Sequence, residues 1–138
     1  MKLQPKKRKF TKSFKGKAIN RITSKNSYDQ SSNGTIALKT LMGYRLSAKQ
    51  TETLYITLNK FLKKAGKINI TIFPQTPVSK KPNEIRMGKG KGAVDHWVCR
   101  IIPGSIICQI ETNNFQKAKK AISYAKFRLP IKIKTIIL

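Results

Sequence analysis

Acidic side chains are nearly missing from this chain: five Asp and Glu stand against 30 Lys and Arg, a formal charge of +25 over 138 residues. The five acids, Asp29, Glu52, Glu84, Asp95 and Glu111, are scattered, and His96 is the single histidine. A nucleophile, a base and an orienting group cannot be assembled from so sparse a set, so no enzyme is expected. Two cysteines, Cys99 and Cys108, are too few for a disulfide framework and suit a reducing compartment. With His96 they make a poor metal site, because His96 and Cys99 on one strand point to opposite faces and a closed zinc site takes four ligands. Neither a metal nor a cofactor is expected. No apolar run approaches the length of a bilayer span, which excludes a transmembrane helix.

What is abundant is cationic charge, with a sequence pI near 10.6. Such charge opposes compaction unless a polyanion neutralises it. An acidic membrane surface fits less well than nucleic acid, since the charge runs along the whole chain rather than one amphipathic helix. The sharpest local feature is Arg86-Met87-Gly88-Lys89-Gly90-Lys91-Gly92. Glycines on alternate positions cannot hold a regular helix or strand cheaply. The interleaved Arg86, Lys89 and Lys91 put cations on a backbone thin enough to enter a crowded polyanion.

Residues 1–33 are basic and polar, with Lys6, Lys7, Arg8, Lys9, Lys12, Lys15, Lys17 and Arg21 carrying charge without a core-facing period. They are expected to form an extended arm that orders on its partner. The first 25 residues hold no acid and resemble an organelle transit peptide in composition. Residues 34–138 form the expected single domain. A helix is predicted over 47–65, with Ser47 and Gln50 as a capping box and Gly66 as its stop. Its buried stripe is Leu54, Leu58, Phe61, Leu62 and Ala65; Lys49, Lys60, Lys63 and Lys64 lie on a solvated or RNA-facing side. Alternation over 68–73 predicts a strand closed by Pro74, and 77–82 reads as a loop into the glycine run. Two further strands, 95–102 and 105–111, are joined by Pro103-Gly104 in a type II turn. A second helix runs over 115–128 with Asn113 or Asn114 as cap and Phe115, Ala118, Ile122, Ala125 and Leu129 inside. Pro130 stops it, and Ile131 begins a last strand. The expected fold is α+β: two helices packed on one mixed sheet, with the basic arm extended and the Gly-Lys loop projecting.

Nucleotide-binding motifs fail on spacing. A P-loop needs glycine and Ser or Thr where Gly90-Lys91 has Ile85 and Gly92, and the dinucleotide fingerprint needs a sixth-place glycine where this run has its third at the fifth place. Trp97 lies on the Trp97–Cys99–Ile101 face and is expected in the core rather than on a base. The aromatic signature of RRM domains and the Gly-x-x-Gly clamp are both missing. Phosphate neutralisation plus shape remains, a mode suited to holding one large folded RNA.

Leu3-Gln4-Pro5-Lys6, Lys9-Phe10 and Lys15-Gly16, then Gly66-Lys67-Ile68 leading to Ile72-Phe73-Pro74, form an ordered pattern. It continues through Lys81-Pro82, the 86–92 run, Trp97-Val98, Pro103-Gly104 and Leu129-Pro130-Ile131-Lys132. By these residues, across essentially its whole length, the chain resembles the ribosomal large-subunit protein L-sixteen family in its bacterial and organellar form. The resemblance implies a structural, non-catalytic protein near the base of the central protuberance, bound to large-subunit rRNA. Its arm (Lys6, Lys7, Arg8, Lys9, Lys12, Lys15, Lys17, Arg21) would run into rRNA. The 86–92 loop would reach towards the peptidyl-transferase region and the tRNAs of the aminoacyl and peptidyl sites. Late joining of the subunit, neighbouring ribosomal proteins as partners, no membrane and no homo-oligomer are implied too. The first helix has Leu54, Tyr55, Ile56 and Thr57 where bacterial relatives carry arginines, and Asn69 and Thr71 stand where relatives often have Trp and Arg. An additional protein over that helix is one expectation. Because the family opening begins at Leu3, a removable presequence is not expected. Abundant Lys, Ile and Asn, with AT-rich codons, point to a mitochondrion first, then a plastid or an AT-rich bacterium. A free RNA chaperone or DNA-compacting protein is the competing reading, but it needs no such loop on a defined two-helix domain.

Overall fold

The computed structural model describes residues 3–14, 16, 35–63 and 65–137. Within them the order is β1 (Thr35–Thr40), β2 (Tyr44–Ser47), α1 (Ala48–Leu62), β3 (Gly66–Ile70), β4 (Thr76–Lys80), β5 (Ala93–Ile101), β6 (Ile106–Thr112), α2 (Phe115–Phe127) and β7 (Ile133–Ile137). The class is α+β, but the strands form two sheets, β3-β6-β1-β7 and β2-β5-β4, and every pairing is antiparallel. The expected single mixed sheet is therefore corrected. Its cause lies in the pairings: β1 pairs with β6 while β2 pairs with β5, so the chain changes sheet at β1–β2, β2–β3, β3–β4 and β5–β6.

The Pro103-Gly104 turn makes the last of these steps. Gly104 has φ +87° and Ser105 N–H donates to Ile102 O at 3.2 Å, as a type II turn requires. Thr40 locks it to the end of β1, accepting from Gly104 N–H at 2.8 Å and donating its own N–H to Ser105 O at 3.0 Å. One core serves both sheets. Leu54, Leu58 and Leu62 of α1 and Ala118, Ala121, Ile122 and Ala125 of α2 meet Ile36, Leu38, Ile107 and Ile110 of the larger sheet. Leu46 and Ile101 extend it under the smaller one.

Helix α1 starts as its sequence demands, with the Ser47–Gln50 capping box closed in both directions. It ends earlier than Gly66 would suggest: Lys63 takes the left-handed cap at φ 43° and its N–H reaches Asn59 O. Gly66 instead opens β3, where an added Cβ would lie 2.7 Å from Glu111 O of β6. Its glycine serves strand contact, not helix termination. Phe61, Ala65 and Phe115 are exposed rather than buried, and Thr51 and Ala121 occupy the inner faces. Asn114 caps α2, accepting from Lys117 N–H at 3.2 Å. The 77–82 stretch is not all loop, since β4 runs through Pro77; as an edge strand it tolerates a residue without an N–H.

Candidate nucleic-acid interface

The β2–β5 register sets Arg45 directly opposite Arg100. Like charges so placed repel, and with so few carboxylates in the chain other acceptors must quiet them. The arm supplies backbone carbonyls: Arg100 Nη2 donates to Phe14 O at 3.0 Å and Arg45 donates to Gly16 O. Gly16 has φ +60°, where glycine is at ease, and a Cβ there would sit 2.9 Å from the Arg100 guanidinium, which would have to shift. Nearer the start of the arm, Arg8 donates to Gln75 O at 3.3 Å and lies 5.7 Å from the Trp97 ring centre. Trp97 is half-buried and in reach of the arm, not sealed in the core as its neighbours in sequence suggested.

Arm and loop are tied by a crossed pair of bonds. Lys12 Nζ donates to Lys91 O at 2.9 Å, Lys91 Nζ donates to Ser13 O, and the Lys91 ammonium stands 5.7 Å from the Phe14 ring centre. Two cations are thus held side by side without a carboxylate, each on the other's backbone neighbourhood. A cleft of about 190 Å³ lies where the arm meets the smaller sheet, walled by Ser13, Arg45, Ser79, Lys91 and Val98 among others.

The loop joins β4 to β5. Arg86, Met87, Gly88, Lys89, Gly90 and Lys91 are exposed, Met87 at 99%. Gly88, Lys89 and Gly90 have φ of +100°, +51° and +85° in succession. A Cβ on Gly88 or Gly90 would meet nothing within 4 Å. Internal packing does not ask for those glycines; the backbone conformation does, and the open space leaves the main chain bare to a partner. Gly92 differs, because a Cβ there would come 2.5 Å from Lys80 O at the loop's root. Lys81 Nζ donates to Gly88 O and braces the loop from the other side.

Of the arm cations, Lys6, Lys7, Arg8, Lys9 and Lys12 are exposed, with Lys9 5.8 Å from the Phe10 ring centre. Lys15, Lys17 and Arg21 lie outside the described residues. Arg45 and Arg100, which hold the arm, are residues that sequence reasoning passed over. Their signal was available: each alternates with apolar Leu46 or Cys99 on strands that pair.

Titratable chemistry is sparse. Asp95 is held below the usual carboxylate range chiefly by its hydrogen bond with His96, at 2.8 Å, and both are exposed on β5. Burial pushes the Cys108 thiol up to about 12 and also raises Cys99, which a backbone bond from Phe73 partly offsets. Among the described residues no three His, Cys, Asp or Glu side chains gather as metal ligands. What this surface can do chemically is bind anions.

Residues 5–136 match the family described as ribosomal protein L16p/L10e. The chain is 42% identical over 134 residues to the large ribosomal subunit protein uL16 of Rhodopseudomonas palustris strain BisB18, covering 97% of this chain and 96% of the relative. It is 42% identical over 136 residues to the protein of that name from Pelagibacter ubique strain HTCC1062, with the same coverage of 97% and 96%. These relatives are bacterial and lend no support to the expected mitochondrial location. A match over nearly the whole chain decides the assignment: the chain belongs to the ribosomal protein L16p/L10e family, a structural, non-enzymatic one.

Proposed function

We propose that the chain is a structural component of the large ribosomal subunit that holds large-subunit rRNA with its arm and extends the 86–92 loop into a narrow RNA cleft. In this reading residues 1–33 are the RNA-wrapping arm of a single domain, 34–138. Lys6, Lys7, Arg8, Lys9, Lys12, Lys15, Lys17 and Arg21 neutralise rRNA phosphates near the central protuberance. Arg86, Met87, Gly88, Lys89, Gly90, Lys91 and Gly92 lie close to the peptidyl-transferase region and support the tRNAs of the aminoacyl and peptidyl sites. Neighbouring ribosomal proteins complete its surroundings, and it acts as a single copy. The observation that carries the reading is the crossed Lys12–Lys91 and Lys91–Ser13 pair, which makes arm and loop one cationic surface. The charge of +25 then has a purpose, because a surface that repels itself when free is stabilised by releasing counterions from RNA. The composition, with its AT-rich codons, supports a mitochondrial ribosome as the compartment, ahead of a plastid or an AT-rich bacterium.

Sucrose-gradient fractionation of the source lysate at moderate and then high salt tests the reading. The chain should travel with the large subunit at moderate salt and be released only at high salt. Residence at the top of the gradient, or on bulk DNA, would refute it in favour of a free nucleic-acid binder.

A further inference from the structure

The outward face of the helix pair contrasts with the arm. Phe61 of α1 and Tyr124 of α2 stack with ring centres 4.5 Å apart and planes 2° from parallel. Beside them Ile56 is 59% and Phe127 85% exposed, around a hollow of about 660 Å³ bordered by Lys60 and Arg128. Two threonines in the hollow's wall add to its apolar character. Thr57 Oγ1 donates to Thr53 O at 2.8 Å and Thr53 Oγ1 to Lys49 O at 2.9 Å, so both hydroxyls satisfy their own helix. A chain that seals its core this well does not need four large apolar side chains in water, and such a patch marks a contact surface.

We infer that this face docks a neighbouring protein, through a segment that offers apolar side chains flanked by carboxylates. The inference rests on the large-subunit reading above. Charge complementarity selects the partner: among the described residues neither Lys60 nor Arg128 has a carboxylate within ion-pair distance, and both stand at the rim of an apolar floor. That is the arrangement of an interface with a hydrophobic centre and polar edge. A second copy of the chain, at +25, would bring cation to cation. RNA is served less well, because it gains most from dense cations and free donors, and both threonine hydroxyls of this wall are bonded within their own helix.

Large subunits carrying the full chain with a photo-crosslinking residue at position 127, and separately at position 9, give the test. Phe127 is so exposed that the probe should leave the fold intact. The position-127 adduct should be protease-sensitive and RNase-resistant, and its partner peptide should carry Asp or Glu beside apolar residues. Adding Lys60→Glu with Arg128→Glu should lower its yield about fivefold or more, as two exposed ion pairs turn repulsive, and leave the position-9 adduct unchanged. An adduct to RNA, an adduct to a second copy, no adduct, a partner peptide without acids, or a yield indifferent to the charge reversal each overturns the proposal. Failure of position 9 to reach rRNA, with position 127 still on an acidic protein segment, would count against the arm reading alone. A chain missing from the subunits altogether refutes both.

Discussion

In the larger sheet, β1 buries five of six residues and β6 four of seven, whereas β4 and β5 of the smaller sheet leave most of theirs half-buried or open. Both sheets are antiparallel and share one core, so the difference lies in what covers them. Apolar faces of α1 and α2 close the larger sheet, a cover that removes water and needs nothing outside the chain. The smaller sheet is covered by a cationic arm held through Phe14, Gly16, Gln75 and Lys91 carbonyls. Such exposed bonds are individually weak against water, and the cations making them repel one another. One half of the molecule is thus finished by folding; in the proposed reading the other is finished by rRNA.

The largest expected effect lies in the first half. Leu58 is fully buried, and Leu58→Ala should lower unfolding free energy by about 2–5 kcal/mol in denaturant titration. The salt dependence of RNA binding by the folded fraction should not move; if it does, the two halves are not separable. Next comes Gly92→Ala, whose Cβ would press on Lys80 O at the root of the loop. About 1–2 kcal/mol is expected from such overpacking, whereas Gly90→Ala meets no atom and costs about 1–2 kcal/mol through its φ of +85° instead. Gly90→Asn, which tolerates positive φ, should recover part of its cost and Gly92→Asn none; equal recovery at both would leave the contact with Lys80 O without a role.

Alkaline pH sharpens the comparison further. The folded Cys108 thiol is raised to about 12 while an unfolded thiol titrates near 8.5, so the fold favours the protonated form. Its contribution is complete below about pH 8.5 and declines as pH rises from there towards about 12. At pH 9.5 the loss should be about 1 kcal/mol, read as the difference in pH dependence between the native chain and Cys108→Ala. Identical pH profiles for the two would remove the thiol from the account. The smallest stability effect belongs to the loop: Lys89→Ala and Lys91→Ala should each stay within about 0.5 kcal/mol of the native chain. Yet each should reduce the slope of log affinity against log salt by about one and impair peptide-bond formation by subunits that contain it. Lys91→Ala should also expose the 9–14 stretch to protease, since it removes the bond to Ser13; Lys89→Ala should not. Equal protection in both would dissolve the arm–loop tie.

Much of the architecture could be read in advance. The capping box at Ser47, the Asn114 cap, the type II turn at Pro103-Gly104 and the inner leucines of α1 are local signals, and the structure honours them. The misreadings share a cause. Phe61, Phe115 and Trp97 looked internal because they are large and apolar, but spacing along one helix or strand does not say how wide its covered face is. Pro77 looked like a loop because proline breaks ladders, and only its edge position made it a strand residue. Gly66 looked like a helix stop, whereas its use is closeness to Glu111 O on another strand. At the candidate interface the cations of the arm and loop were visible as charge without period. Arg45 and Arg100 were not, because their meaning is a cross-strand pairing.

By itself the sequence determined this protein's excess of cationic charge and its helices α1 and α2, since composition and local backbone preference need no distant partner. Tertiary structure alone decided that the strands divide into two sheets, that the arm lies against the smaller one, and that Lys12 and Lys91 meet. Those contacts join residues 78 and 79 positions apart in the chain. Their geometry depends on register and sheet crossover, which are set by the packing of the whole core rather than by any stretch of it.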